Sequence, residues 1–162
     1  QKNHSLLITA FKEVNEMFPE YSLVIYGEGT LRQELESIIA ELGLRENIRM
    51  PGNVKDIHEK LSEAEIFILS SDYEGLSNAL LEAMMMGLPC ISTDCAGSNE
   101  IIVSGENGIL VPVGDKERLV KAMELLINNR EYALKLGTEA RKTSRQFSSI
   151  NILKKWEKVL EK

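Results

Sequence analysis

Apolar residues fall along this chain in two alternating rhythms. Across residues 3–18, Leu6, Leu7, Ala10, Phe11, Val14 and Phe18 recur every three or four positions. That is the spacing of one helix face, and Pro19 stands just past its end. Residues 21–26 (Tyr-Ser-Leu-Val-Ile-Tyr) predict a strand, followed by Gly27-Glu28-Gly29. Helical spacing returns over residues 31–42, with Gly43 placed as a C-cap. Next come a short strand at 47–50, Pro51-Gly52-Asn53, and a helix at 54–64. A buried strand is predicted at 65–69, where Ile-Phe-Ile-Leu is continuous, and then a loop at 70–75. A helix runs on to Met86 with Gly87 as its stop, and a strand spans 89–93 with Pro89 at its first position. A short helix at 99–103, a turn at 105–108 and a small strand at 109–111 follow. Asp115 is placed to cap a helix over 116–128, and helices at 130–146 and 148–160 close the chain.

Strand and helix alternate at short spacing through the first two-thirds. That pattern predicts an α/β domain, a Rossmann-like parallel sheet with helices on both faces. Such a domain opens on a strand, whereas this chain opens on a helix, so the first strand is expected to be missing. With no internal repeat, low-complexity stretch or linker, residues 1–162 form one expected domain, excised from something longer.

Composition narrows the function. Charge is −6, from 19 Lys+Arg against 25 Asp+Glu, which disfavours nucleic acid as a partner. A small anion stays open, because a helix start can hold a phosphate through backbone N–H groups. No run approaches the roughly 18 apolar residues of a membrane span, and no signal-peptide pattern opens the chain. Cys90 and Cys95 are expected to be free thiols, with Cys90 buried. His4 and His58 are isolated and expected on the surface, and no metal-ligand spacing occurs.

Open α/β sheets bind ligands outside the carboxyl ends of their strands. Three loops belong at that edge, at 27–30, 50–54 and 70–78. The third is the most telling: Glu74-Gly75-Leu76-Ser77-Asn78-Ala79-Leu80-Leu81-Glu82. Gly75 leaves room for close approach, and Ser77 and Asn78 are good helix caps. The helix after them reads as almost wholly apolar, hence buried, with exposed first N–H groups suited to a diphosphate. Glu82 is anomalous there. A lone carboxylate would need partners, either a backbone N–H or Lys of the protein or the hydroxyls of a ribose.

This stretch resembles the signature of the retaining glycosyltransferases of the GT-B fold, the glycosyltransferase group 1 family (family 4). The resemblance continues through Gly87-Leu88-Pro89-Cys90-Ile91-Ser92-Thr93-Asp94, Asn99-Glu100-Ile101-Ile102 and Gly105-Glu106-Asn107-Gly108-Ile109-Leu110-Val111-Pro112. Upstream, Tyr26-Gly27-Glu28-Gly29 and Pro51-Gly52-Asn53-Val54 also fit. It implies the C-terminal, donor-binding half of such an enzyme.

By this resemblance Glu82 holds the ribose hydroxyls and Glu74 contacts the donor sugar. Glu74 is then the one candidate catalytic contact, with the main catalytic groups in an N-terminal domain. Backbone N–H groups of Gly75, Leu76, Ser77 and Asn78 meet the sugar and diphosphate. Lys2 resembles the lysine of the family's basic pair on the diphosphate; its arginine is absent. Gly52, Asn53 and Val54 pass the base, with Gly27 and Gly29 on the same side. The latter pair also reads as a plain tight turn.

The implied partners are an NDP-sugar, with UDP-sugar ahead of GDP-sugar, the protein's own N-terminal domain, and a glycan or lipid-linked acceptor. No cofactor or metal is implied, and no Asp-x-Asp occurs. The expected setting is cell-surface polysaccharide or capsule assembly in the cytoplasm; Lys154, Lys155, Trp156 and Lys158 suit a contact with the inner membrane face, whereas the resemblance implies a final helix that packs back across the domain junction. A sugar-nucleotide epimerase of the same architecture and a non-catalytic nucleotide-binding module are the rivals.

Overall fold

The structure, a computed structural model, describes residues 2–147. In chain order its elements are α1 (His4–Met17), β1 (Leu23–Tyr26), α2 (Arg32–Glu41), β2 (Ile48–Gly52), α3 (Ile57–Ser62), β3 (Phe67–Leu69) and α4 (Asn78–Met85). Then follow β4 (Cys90–Thr93), α5 (Ala96–Asn99), β5 (Ile109–Val111), α6 (Lys116–Asn128), α7 (Arg130–Ser144) and a 3-10 turn at Arg145–Phe147. The expected helix at 148–160, with its basic and Trp residues, lies outside the described residues. Among the described residues no helix is long and apolar enough to cross a membrane.

All strand pairs are parallel, as the alternation predicts. Helices cover both faces. On one face α1, α2 and α6 pack Phe11, Leu35 and Met123 onto Ile25, Ile91 and Val111. On the other, α3 and α4 pack Leu61, Leu80 and Met84 onto Leu69 and Cys90. Cys90 and Ile91 are neighbours that serve opposite cores, the period-two geometry of a strand.

The single sheet is divided, however. Among the described residues β1 pairs only with β2, and β3-β4-β5 form a second sheet. Between the facing edges of β1 and β3 lies a cavity of about 240 Å³, lined by Val24, Tyr26, Phe67, Ile68, Leu7 and Leu61 among others. The strand expected to be fully buried at 65–69 is therefore half-open. Phe67 and Ile68 are partly exposed, whereas all of β4, paired on both sides, is buried. An unpaired edge leaves side chains and backbone groups facing the gap.

Two helix boundaries differ from expectation for local reasons. The helix expected at 54–64 begins at Ile57, because the Asp56 carboxylate accepts from the Glu59 N–H at 3.1 Å. The helix expected at 99–103 is instead α5, Ala96–Asn99. Past it, Asn107 accepts from the Val103 N–H (2.8 Å) and donates to the Ile101 carbonyl (3.0 Å), so a turn satisfies backbone groups that a helix would have used. Asp115 caps α6 as expected, accepting from the Arg118 N–H at 2.9 Å. Both cysteines are free and buried, and burial pushes the Cys90 thiol far up, away from reactivity.

Candidate functional site

The start of α1 is fastened to the loop after β3. Ser70 Oγ donates to the Lys2 carbonyl at 2.8 Å, and Asn3 Nδ2 donates to Asp72 Oδ1 at 2.6 Å. Lys2 Nζ donates to Glu74 Oε2 at 2.7 Å, and Ser71 Oγ donates to the same oxygen at 3.0 Å. Asn3 itself has φ 44°, a left-handed conformation that Asn tolerates, and its side chain caps α1 by accepting from the Leu6 N–H at 3.2 Å. These bonds join two predicted donor contacts, Lys2 and Glu74, that are far apart in sequence.

Ser77 caps α4, accepting from the Leu80 N–H at 3.3 Å, and this places the unsatisfied N–H groups of the first turn at the rim. The helix is not wholly buried, which corrects the sequence expectation. Leu80, Ala83 and Met84 face the core, but Ala79 is exposed and Met85 and Met86 are 53% and 37% exposed. Glu82 is accordingly half-exposed rather than entombed. It has no hydrogen-bond or ion-pair partner among the described residues, and it lines the gap cavity with Lys2 and His4.

A second, larger cavity of about 670 Å³ opens beside the start of α1, between Lys2, His4 and Asp72 on one side and Tyr26, Gly27, Gly29 and Arg32 on the other. Gly52 joins this wall from behind, its carbonyl accepting from the Gly27 N–H at 2.9 Å. The structure thus gathers Lys2, Gly27 and Gly29 around one cavity, and Lys2 with Glu82 around the other. Asn53, an exposed residue, and the half-buried Val54 follow β2 and line neither cavity. Gly75, Leu76 and Asn78 are exposed, and together with buried Ser77 they form a separate rim at the start of α4.

Three contributors escaped the sequence reading. Ser70 and Asp72 fasten Lys2 and Asn3 across some seventy positions, for which no local pattern exists. His4 was expected at the surface; it is half-buried in the first turn of α1 and borders both cavities. Burial, and then the Lys2 charge, lower its pKa, so the neutral imidazole is favoured. His58 is exposed as expected.

The rim rests on a close backbone approach. Gly97 in α5 donates its N–H to the Glu74 carbonyl at 3.0 Å. A Cβ on Gly97 would lie 1.7 Å from the Gly75 carbonyl oxygen, so the loop must move for any other residue. Gly97→Ala is expected to lower stability by about 1–3 kcal/mol and to displace the loop of Glu74. Thermal melting, together with amide shifts of residues 74–78 by NMR, checks this; unchanged loop shifts would refute the coupling.

Comparison with known proteins gives a consistent picture. The family described as glycosyl transferases group 1 matches residues 1–143. The protein EpsD of Bacillus subtilis (strain 168) is 37% identical over 147 residues, which cover 91% of this chain and 39% of EpsD. The lipopolysaccharide core biosynthesis glycosyltransferase LpsE of Rhizobium meliloti (strain 1021) is 30% identical over 125 residues, 77% of this chain and 37% of LpsE. The crystal structure of the pneumococcal O-GlcNAc transferase GtfA in complex with UDP and GlcNAc superposes with a TM-score of 0.89 at 27% identity, covering 99% of this chain and 33% of that one. The chain spans less than half the length of these relatives.

Proposed function

This chain belongs to the glycosyl transferases group 1 family, and from that we propose that it is the donor-binding half of a retaining glycosyltransferase that passes a sugar from a UDP-sugar to a glycan or lipid-linked acceptor. The observation that carries this is Glu82. It is a carboxylate without a protein partner among the described residues, facing a cavity that it shares with Lys2. A ribose diol offers two O–H donors to such a group. Lys2, the start of α1 and the start of α4 supply a cation and two helix N-termini for a diphosphate. Charge that grows on the leaving diphosphate is then met by fixed dipoles and a cation.

Lys2 is paired with Glu74. On this reading the diphosphate draws Lys2 away and frees Glu74 to accept from hydroxyls of the donor sugar. An N-terminal domain binds the acceptor and supplies the remaining catalytic groups, and the setting is assembly of cell-surface polysaccharide at the inner face of the membrane. The LpsE name, with its lipopolysaccharide core biosynthesis, supports the polysaccharide part of that setting, and the UDP and GlcNAc in the GtfA crystal support the donor class.

Calorimetry or ligand-observed NMR with UDP-, GDP- and ADP-sugars tests the proposal. UDP-sugar is expected to bind, ahead of the other two, without turnover on a simple acceptor. Absence of binding by all three refutes the donor assignment, and turnover by this chain alone refutes the division of labour.

A further inference from the structure

We propose that Arg32 is a positioning residue for base recognition, fixing the spacing between the turn at 27–29 and the turn at Gly52. The inference rests on the donor-binding reading above, which gives those two turns to the base.

Arg32 opens α2, and its guanidinium reaches three places at once. Nε donates to Glu36 Oε1 at 2.9 Å, Nη1 to Glu28 Oε1 at 3.2 Å and Nη2 to the Met50 carbonyl at 2.6 Å. The Glu36 bond, one helical turn on, holds the stem still. The other two tie the turn after β1 to the end of β2. Bonds of this kind are charge-assisted, and their planar fork cannot be reproduced by the point charge of a lysine.

Gly52 shows why the tie matters. Its φ is 80°, and a Cβ there would lie 2.2 Å from Glu28 Oε1. The Glu28 carboxylate therefore lies against the bare face of Gly52, and Arg32 holds it there. Backbone pairing fixes the two turns at one point, where the Gly27 N–H donates to the Gly52 carbonyl at 2.9 Å, but the β1–β2 ladder is irregular between Val24 and Tyr26 just before it, so the side-chain tie adds a second point. Glu28, Arg32 and Met50 all line the larger cavity, so their mutual placement shapes its wall. The three side chains are substantially exposed, at 34% for Arg32 and 52% for each glutamate. Exposed ion pairs contribute little to stability, so variants here are expected to fold. Positioning is the effect left to measure.

The test compares wild type, Arg32→Gln, Arg32→Lys and Gly52→Ala by ligand-observed NMR, with UDP, GDP, ADP and inorganic pyrophosphate as probes. The preference among the three nucleotides is expected to shrink about tenfold in Arg32→Gln, the fold-change of one charge-assisted hydrogen bond. Arg32→Lys is expected to restore little of it. Gly52→Ala, which pushes Glu28 aside, should act alike, and the double variant should be no worse than either single one. Pyrophosphate affinity is expected to stay within about twofold, since Lys2 stands on the opposite side of the cavity from Arg32. Retention of the wild-type preference in Arg32→Gln overturns the inference. So does pyrophosphate affinity that falls in step with nucleotide affinity, or a wild type that binds all three nucleotides equally. A wild type that binds none of them overturns the donor-binding reading, and this inference with it.

Discussion

Replacing Glu82 by Gln is expected to weaken UDP binding by roughly ten- to a hundredfold while leaving the melting temperature nearly unchanged. The amide keeps the size of the carboxylate but offers one acceptor and one donor group in place of two acceptor oxygens. A diol that donates twice then loses at least one charge-assisted bond, and such bonds are worth about 1.5–3 kcal/mol. Stability should hold because Glu82 is half-exposed and has no partner among the described residues. Removing its charge breaks nothing in the folded protein. Calorimetry with UDP and with pyrophosphate, beside a thermal melt, separates the outcomes. Only the nucleotide should weaken. A parallel loss of pyrophosphate would place Glu82 in a general role, and an unchanged UDP affinity would remove it from the site.

That expectation depends on a residue whose position was legible in sequence but whose environment was not. Apolar period and turn residues fix most elements, because each helix buries one stripe and each strand a short run. Hence α6 and its Asp115 cap stand where the pattern puts them. Glu74 and Glu82 stood out through their spacing, yet the helix between them looked buried all round. Sequence records that Met85 and Met86 are apolar; it does not record that they are 53% and 37% exposed. The same limit hid the Lys2–Glu74 pair and the Ser70 and Asp72 ties, which are long-range contacts without a local signature. Arg32 looked like any charged residue on a helix surface. Its role arises only where the ends of β1 and β2 meet, at a fold-level junction that no window of residues contains.

A strand supplied to the gap between β1 and β3 is expected to raise the melting temperature by roughly 5–15 °C, the largest stability change foreseen for this chain. The gap presents the edges of two parallel sheets that are unpaired among the described residues, and its lining is mostly apolar, with Leu7 and Leu61 beside Lys2, His4 and Glu82. An inserted parallel strand would be covered on both faces, so it should be apolar throughout rather than alternating. Each buried aliphatic side chain contributes about 1.5–3 kcal/mol, and ladder bonds on both edges add to that. Against this stands a backbone ordering cost of about 1–2 kcal/mol per residue, which leaves a net gain of a few kcal/mol. Lys2 lines the gap and α1 follows it, so a strand joined ahead of them would make a parallel β-α-β unit with α1 and β1, the connection that such sheets use. Fusing a segment of four Val and Ile residues ahead of a fragment of residues 1–162, against a Ser/Asn control of equal length, tests this by thermal melting and amide exchange. Protection should rise at Ile68, on the gap side of β3, whereas the Phe67 N–H already donates to the Pro89 carbonyl at 3.0 Å and serves as the internal control. Equal melting of the two fusions, or unchanged exchange at Ile68, would show that the gap does not accept a strand.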